Sequence, residues 1–265
     1  MAGFLLVNPR AGDARPRPEE LAKAAAVRRI DVHVLREGED PAELARRADA
    51  VAIGIAGGDG SLAPVATVAV ERDLPFVCVP FGTRNHFARD LGLDRDDPVG
   101  ALEAFAGRER RIDVGRAGDR LFLNNVSLGL YARLVHRREH HRRRRDALAH
   151  VRALAILLRE RKRFVLTLDG APVEAPVALV ANNAYALELL SIGERERLDE
   201  GLLHLYVAAG LLTGEWRERS GTRFTIGSDR PVLEAALDGE PVELDVPIEF
   251  AIAPRALRVL VPPGR

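Results

Sequence analysis

Ile53-Gly54-Ile55-Ala56-Gly57-Gly58-Asp59-Gly60-Ser61 decides how this chain folds. The apolar run Val51 to Ala56 reads as a buried strand. It stops at a glycine pair, an aspartate, a third glycine and a serine. A helical segment follows, with Pro64 expected near its first turn, where a missing N–H costs little. Strand, glycine turn and helix start together present backbone N–H groups to a phosphate. Glycines let the anion approach the main chain, and the helix end adds partial positive charge. Asp59 cannot itself welcome a phosphate; it makes sense there through a metal or by positioning a neighbour.

Working outward, the first ~115 residues alternate strand and helix signals. Phe4 to Val7 is a strand ending at Asn8-Pro9-Arg10-Ala11-Gly12, followed by a helix from Pro18 to Arg28. Ile30 to Leu35 is a strand, Pro41 to Arg47 a helix, and a further helix precedes the strand Phe76 to Val79. This alternation predicts a parallel sheet covered by helices, with ligands bound beyond the carboxyl ends of the strands. The loop Pro80-Phe81-Gly82-Thr83-Arg84-Asn85-His86 again sets a glycine and a hydroxyl directly after a strand, beside Gly57 to Ser61. A lone glycine turn is often purely conformational. Three such loops at one sheet edge point to phosphate binding.

The character changes after Asp113. Short β-type runs follow: Leu121–Val126, Phe164–Leu168, Val177–Val180, Leu203–Val207, Thr222–Ile226, Ile248–Ile252 and Leu257–Val261. A helix over 146–161 with one apolar stripe interrupts them. The expected fold class is α/β plus all-β. An α/β nucleotide-binding domain spans 1–114, with 255–265 returning to it, and an antiparallel, sandwich-like β-domain spans 115–254. Asp169-Gly170-Ala171-Pro172-Val173-Glu174 and Asp238-Gly239-Glu240-Pro241-Val242-Glu243 echo each other, and Asp-Gly signals a hairpin turn.

The bulk properties narrow the classes. Hydrophobic residues form 47% of 265, which excludes a disordered chain. Lys+Arg and Asp+Glu are both 39, so no global charge draws the chain to nucleic acid or membrane. The single cysteine, Cys78, excludes an internal disulfide framework and a cysteine-rich zinc site, and reads as a core thiol. No signal peptide and no run of about 18 apolar residues is present, so a cytoplasmic protein is expected. A local excess of charge lies in His136-Arg137-Arg138-Glu139-His140-His141-Arg142-Arg143-Arg144-Arg145. It reads as a solvated loop or as a contact with anionic headgroups. Nucleic-acid binding is the weakest reading, because no recognition motif accompanies it.

Taken in order, Asn8-Pro9, Gly57-Gly58-Asp59-Gly60-Ser61 and Pro80-x-Gly82-Thr83-x-Asn85 resemble the lipid kinase family of diacylglycerol and sphingosine kinases, which shares its fold with NAD kinases. Phe122-Leu123-Asn124-Asn125-Val126-Ser127-Leu128-Gly129, Leu198-Asp199-Glu200-Gly201-Leu202 and Leu237-Asp238-Gly239-Glu240 continue the resemblance across almost the whole chain. The resemblance implies ATP in a cleft between two domains, held by Asn8, Pro9, Gly57, Gly58, Asp59, Gly60, Ser61, Leu62, Ala63, Gly82, Thr83 and Asn85. Asp238 would be the general base, with Glu240 beside it. Asp59 and Asp113 would join a carboxylate and Mg²⁺ network. Arg197 and Leu202, by main-chain oxygens, and Glu200, by its side chain, would hold a structural Mg²⁺. Phosphoryl transfer needs positioning and charge neutralisation more than covalent help, so these groups suffice. No G-x-x-x-x-G-K-[ST] loop is present.

The chain departs from the family at four places. Ser61 stands for threonine, Glu200 for aspartate, and His86 occupies a position that is often aspartate. The segment 184–190 lacks a glycine-rich stretch. The partners implied are ATP, a lipid such as diacylglycerol, an anionic membrane surface met through 136–145, and a second copy in a homodimer; nucleic acid is not among them. Phosphorylation of a soluble alcohol (a nucleotide, NAD or a sugar) and a non-catalytic nucleotide-binding regulator remain the competing readings. From the residues alone, Asp238-Gly239 is equally an ordinary hairpin turn and Asp199-Glu200 an ordinary acidic turn. Asn124-Asn125 and Asn182-Asn183 read as strand-end residues, and His33 and His204 as structural.

Overall fold

The computed structural model describes residues 2–11, 16–129, 164–175, 177–188, 191–192, 194–208 and 216–263. Gly12, the basic segment 136–145 and the helix expected over 146–161 lie outside the described residues. The chain divides into two units: residues 1–114, 194–200 and 253–265 form one, and 115–193 and 201–252 the other. The segment 194–200, assigned from sequence to the β-rich domain, groups with the first unit.

In the first unit, β1 (Gly3–Val7), β2 (Ile30–Val34), β3 (Ala52–Gly57) and β4 (Phe76–Pro80) pair in the order β2-β1-β3-β4, all parallel. Between them run α1 (Pro18–Val27), α2 (Pro41–Arg47) and α3 (Asp59–Glu71), and then α4 (His86–Asp90) and α5 (Pro98–Ala101) follow β4. Local chemistry starts these helices. Asp40 caps α2 by accepting from the Ala42 N–H at 2.8 Å, and Pro41 supplies a preset φ at the first helical position. β3 is buried along its whole length, as a central parallel strand requires. Pro64 lies inside α3, not in its first turn, because the helix already begins at Asp59. Leu5, Val7, Leu21, Ala56, Val77, Val79, Phe81 and Leu102 are the main members of this unit's core.

The strands that follow are β5 (Arg108–Ala117), β6 (Arg120–Phe122), β7 (Asn125–Gly129), β8 (Phe164–Leu168), β9 (Ala171–Ala175), β10 (Val177–Asn182), β11 (Leu187–Glu188), β12 (Ser191–Ile192), β13 (Leu203–Ala208), β14 (Trp216–Gly221), β15 (Arg223–Ser228), β16 (Val232–Leu237), β17 (Glu240–Asp245) and β18 (Ile248–Val261). In the second unit β14-β13-β10-β7-β16-β17 form an antiparallel sheet. The start of β18 pairs antiparallel with β15, then β8 and β9 follow. Phe224, Ile226, Ile248 and Phe250 from this second layer share one core with Val126, Leu128, Val180, Leu205 and Leu233 from the first. The unit is therefore an antiparallel sandwich, its strands alternating core and solvent residues.

Two strand assignments need correction. Leu121–Val126 is not one strand but the end of β6 and the start of β7, broken at Leu123-Asn124. There the backbone N–H groups turn away from the ladder toward the Asp238 carboxylate. Conversely, Ile248–Ile252 and Leu257–Val261 are one 14-residue strand. Arg255 takes a positive φ of 51° and absorbs the irregularity that Pro254 signals.

Candidate phosphate and acid sites

The glycine loops of the first unit are stitched together. Because β3 lies between β1 and β4, the loops that leave their carboxyl ends are neighbours. Asn8 Nδ2 donates to Ser61 Oγ at 3.0 Å, joining the first loop to the second. On the other side Gly82 meets Gly58 so closely that a Cβ on Gly82 would sit 2.4 Å from the Gly58 Cα. Only glycine fits at 82. Gly57 is constrained too, since a Cβ there would lie 2.8 Å from the Ser61 Cβ.

The third loop is closed by its own side chain. Asn85 adopts a left-handed conformation (φ 49°) and is buried. Its Oδ1 accepts from the Gly82 N–H and its Nδ2 donates to the Gly82 carbonyl, both at 2.9 Å. Asn tolerates this backbone better than most residues. Asn85 is thus a scaffold for the loop, and Thr83 and Arg84 are left exposed.

Asp59 turns away from the glycine turn's N–H groups. Its carboxylate accepts from the backbone N–H groups of His86 (3.1 Å) and Phe87 (3.0 Å), where α4 begins. This is the positioning role left open for Asp59 by its charge. Burial holds the His86 imidazole below the usual histidine range, against the opposing pull of Asp59. Leu62 and Ala63 are buried in α3. Asp113 is buried, its Oδ1 accepts from the Arg255 N–H at 2.8 Å, and its own N–H donates to the Leu198 carbonyl at 2.8 Å.

The segment 194–200 is held by a buried ion pair that the sequence did not reveal. Arg195 Nε donates to Asp90 Oδ2 at 2.7 Å with both side chains fully enclosed. The flanking Glu194 and Glu196 are exposed, which disguises Arg195 as one more surface charge. Arg197 pairs with Asp199 at 3.4 Å. Among the described residues no three His, Cys, Asp or Glu side chains gather into a metal-holding group. The Asp59 and Asp113 carboxylates each accept backbone N–H groups.

In the second unit Asp238 sits at the turn of the β16–β17 hairpin, with φ 50° followed by Gly239 at 87°. These positive values are those of a type I′ turn. The side chain reaches back 113–115 residues, accepting from Leu123 N–H (2.8 Å), Asn124 N–H (2.7 Å) and Asn125 N–H (3.1 Å). Its own N–H donates to the Asn125 carbonyl. Asn182 completes the patch, donating from Nδ2 to the Leu123 carbonyl at 2.9 Å. Asn124, Asn182, Asn183 and Asp238 are all buried, so the asparagine pairs form a satisfied polar network at strand ends. Leu202, whose carbonyl the resemblance would give to a metal, accepts from the Asn183 N–H at 3.0 Å. Glu240, the first residue of β17, is exposed.

The sequence echo has a structural basis. Asp169 and Gly170 repeat the turn at φ 48° and 84°, and Asp169 Oδ1 accepts from the Thr225 N–H of the adjacent strand at 2.9 Å. Both turn aspartates clamp a neighbouring strand. They differ in setting, since Asp169 is exposed and Asp238 buried.

Residues 2–117 match the family of the diacylglycerol kinase catalytic domain. Over 294 aligned positions the chain is 27% identical to a Pseudomonas aeruginosa protein described as a probable lipid kinase YegS-like, covering 98% of this chain and 94% of that one. A diacylglycerol kinase of Mycobacterium tuberculosis is 28% identical over 251 positions, 83% of this chain and 79% of that one. The solved structure of a diacylglycerol kinase from Bacillus anthracis superposes with a TM-score of 0.70 at 16% identity, covering 98% and 96% of the two chains, which shows a shared fold.

Proposed function

We propose that this chain, homologous to the lipid and diacylglycerol kinases, transfers the γ-phosphate of Mg·ATP to a lipid hydroxyl, with diacylglycerol the leading acceptor. The observation that carries the nucleotide half is the Gly58–Gly82 approach beside the Asn8–Ser61 bond, at the carboxyl ends of adjacent parallel strands. A phosphate needs main-chain N–H groups that it can approach closely, and the turn that opens α3 carries no side chain at Gly57, Gly58 or Gly60 to stand in the way.

In this reading Gly57–Ala63, Gly82, Thr83 and Asn8 hold and orient the phosphates, while Asn85 keeps the third loop in shape. The carboxylate of Asp238 receives the proton of the attacking hydroxyl, with Glu240 beside it. Mg²⁺, when bound, supplies neutralising charge to the nucleotide's phosphate oxygens. The relatives' names favour a lipid acceptor over a soluble alcohol. Among the described residues no helix is long and apolar enough to cross a membrane, so the lipid would be met from the surface. The test is a panel of acceptors with terminally labelled ATP: diacylglycerol and other hydroxyl lipids in vesicles, against NAD, nucleosides and sugars. Label in a lipid supports the reading. Label only in a soluble alcohol, or nucleotide binding with no transfer to any acceptor, refutes it.

A further inference from the structure

The Arg84 side chain has no structural work to do, while its backbone is held in place by the loop around it. Among the described residues its guanidinium makes no hydrogen bond or ion pair, and the side chain is exposed. Its backbone is fixed from every side. Gly82 packs on Gly58, Asn85 bonds both polar backbone atoms of Gly82, and the Arg84 carbonyl accepts from Arg95 Nη1 at 3.3 Å. Immediately after, the His86 and Phe87 N–H groups are bound by Asp59. A residue between Gly82 and His86 is therefore tied at both ends to the glycine turn 57–61. Asp59, the one acid in that turn, is satisfied by those two N–H groups, so the exposed charge on the two loops is a cation.

We propose that Arg84 is a phosphate-binding residue that contacts the phosphate chain of the nucleotide held by the glycine turn. This rests on the kinase reading and adds a specific contact to it. A guanidinium offers a planar fork matched to phosphate oxygens, and the fixed backbone sets where that fork can reach. Arg84 would thus supply positive charge beside the glycine turn.

The test is binding of ATP, ADP and adenosine by calorimetry to the wild-type chain, Arg84→Lys and Arg84→Ala, with phosphatidic acid vesicles as a separate arm. Because Arg84 is exposed, the variants should melt as wild type does, which circular dichroism checks. Arg84→Ala should weaken ATP roughly tenfold or more and leave adenosine unchanged. Arg84→Lys should fall between, keeping charge but losing the fork. Equal ATP affinity in Arg84→Ala and wild type overturns the inference while leaving the kinase reading intact. A loss confined to phosphatidic acid vesicles overturns it too, by moving the phosphate to the lipid. A wild-type chain that binds no nucleotide overturns the kinase reading itself and the inference with it.

Discussion

The carboxylate of Asp238 accepts the backbone N–H of Leu123 at 2.8 Å across 115 residues of sequence. With Asn124 and Asn125 it gathers three N–H groups at the β6–β7 break. The aspartate is thus a clamp as well as a candidate proton acceptor, and the two roles must be separated by experiment.

Asp238→Asn replaces one acceptor oxygen with an NH₂ that faces a backbone donor. Expected is a stability loss of about 2–3 kcal/mol, since buried N–H groups lose a charged partner. Asp169→Asn, at the exposed twin turn, should cost less than about 1 kcal/mol. Urea unfolding of both variants checks this, and equal losses would show that Asp238 is no more than a surface turn residue. Glu240→Gln is the cleaner probe of chemistry, because its exposed side chain lets turnover fall without a comparable loss of stability.

Gly82→Ala should abolish tight nucleotide binding. Its Cβ would lie 2.4 Å from the Gly58 Cα, so the two turns must part. Gly58→Ala should be milder for the fold, because its Cβ meets the Gly82 Cα at an ordinary 3.5 Å and its φ of −85° suits alanine. Thermal melts with and without ATP would distinguish them. A Gly82→Ala protein with wild-type stabilisation by ATP would show that the close approach has no part in the site.

Cys78 is 1% exposed, and burial pushes its thiol far above the ordinary range. The thiolate is the reactive form. Native protein should therefore resist a thiol-specific reagent at neutral pH and react with one equivalent once unfolded in guanidinium. Rapid labelling of the native chain would contradict the burial of β4.

Arg195→Met should destabilise the first unit by about 3–5 kcal/mol, because Asp90 is left as a buried charge. Arg89 also touches Asp90, at 3.2 Å, and softens but does not replace that loss. Denaturant unfolding monitored by circular dichroism measures it. A change under about 1 kcal/mol would mean the pair is not enclosed in solution.

What could be read from the sequence was local. Gly57-Gly58 and Gly82 are turn chemistry, and the Asp-Gly echo is hairpin chemistry, so both were visible as short motifs. That β1, β3 and β4 run parallel followed from the alternation of strand and helix signals. What escaped depends on distant partners. Nothing near Asp238 announces that Leu123 to Asn125 will point at it, and nothing near Arg195 distinguishes it from its exposed acidic neighbours. Asp59 was open to a positioning role by its charge alone, but α4 had to be seen before its partners had names. The runs Ile248–Ile252 and Leu257–Val261 read as two strands because the residues between them break the apolar pattern; the positive φ of Arg255 lets β18 run on.

The central claim is tested most directly by mass spectrometry of a total lipid extract after incubation with the protein, Mg²⁺ and ATP labelled with ¹⁸O in its terminal phosphate. The predicted result is a lipid that gains one labelled phosphate, formed by the wild-type chain and strongly reduced with Glu240→Gln. Labelled phosphate confined to water-soluble products, with every lipid mass unchanged, would contradict it.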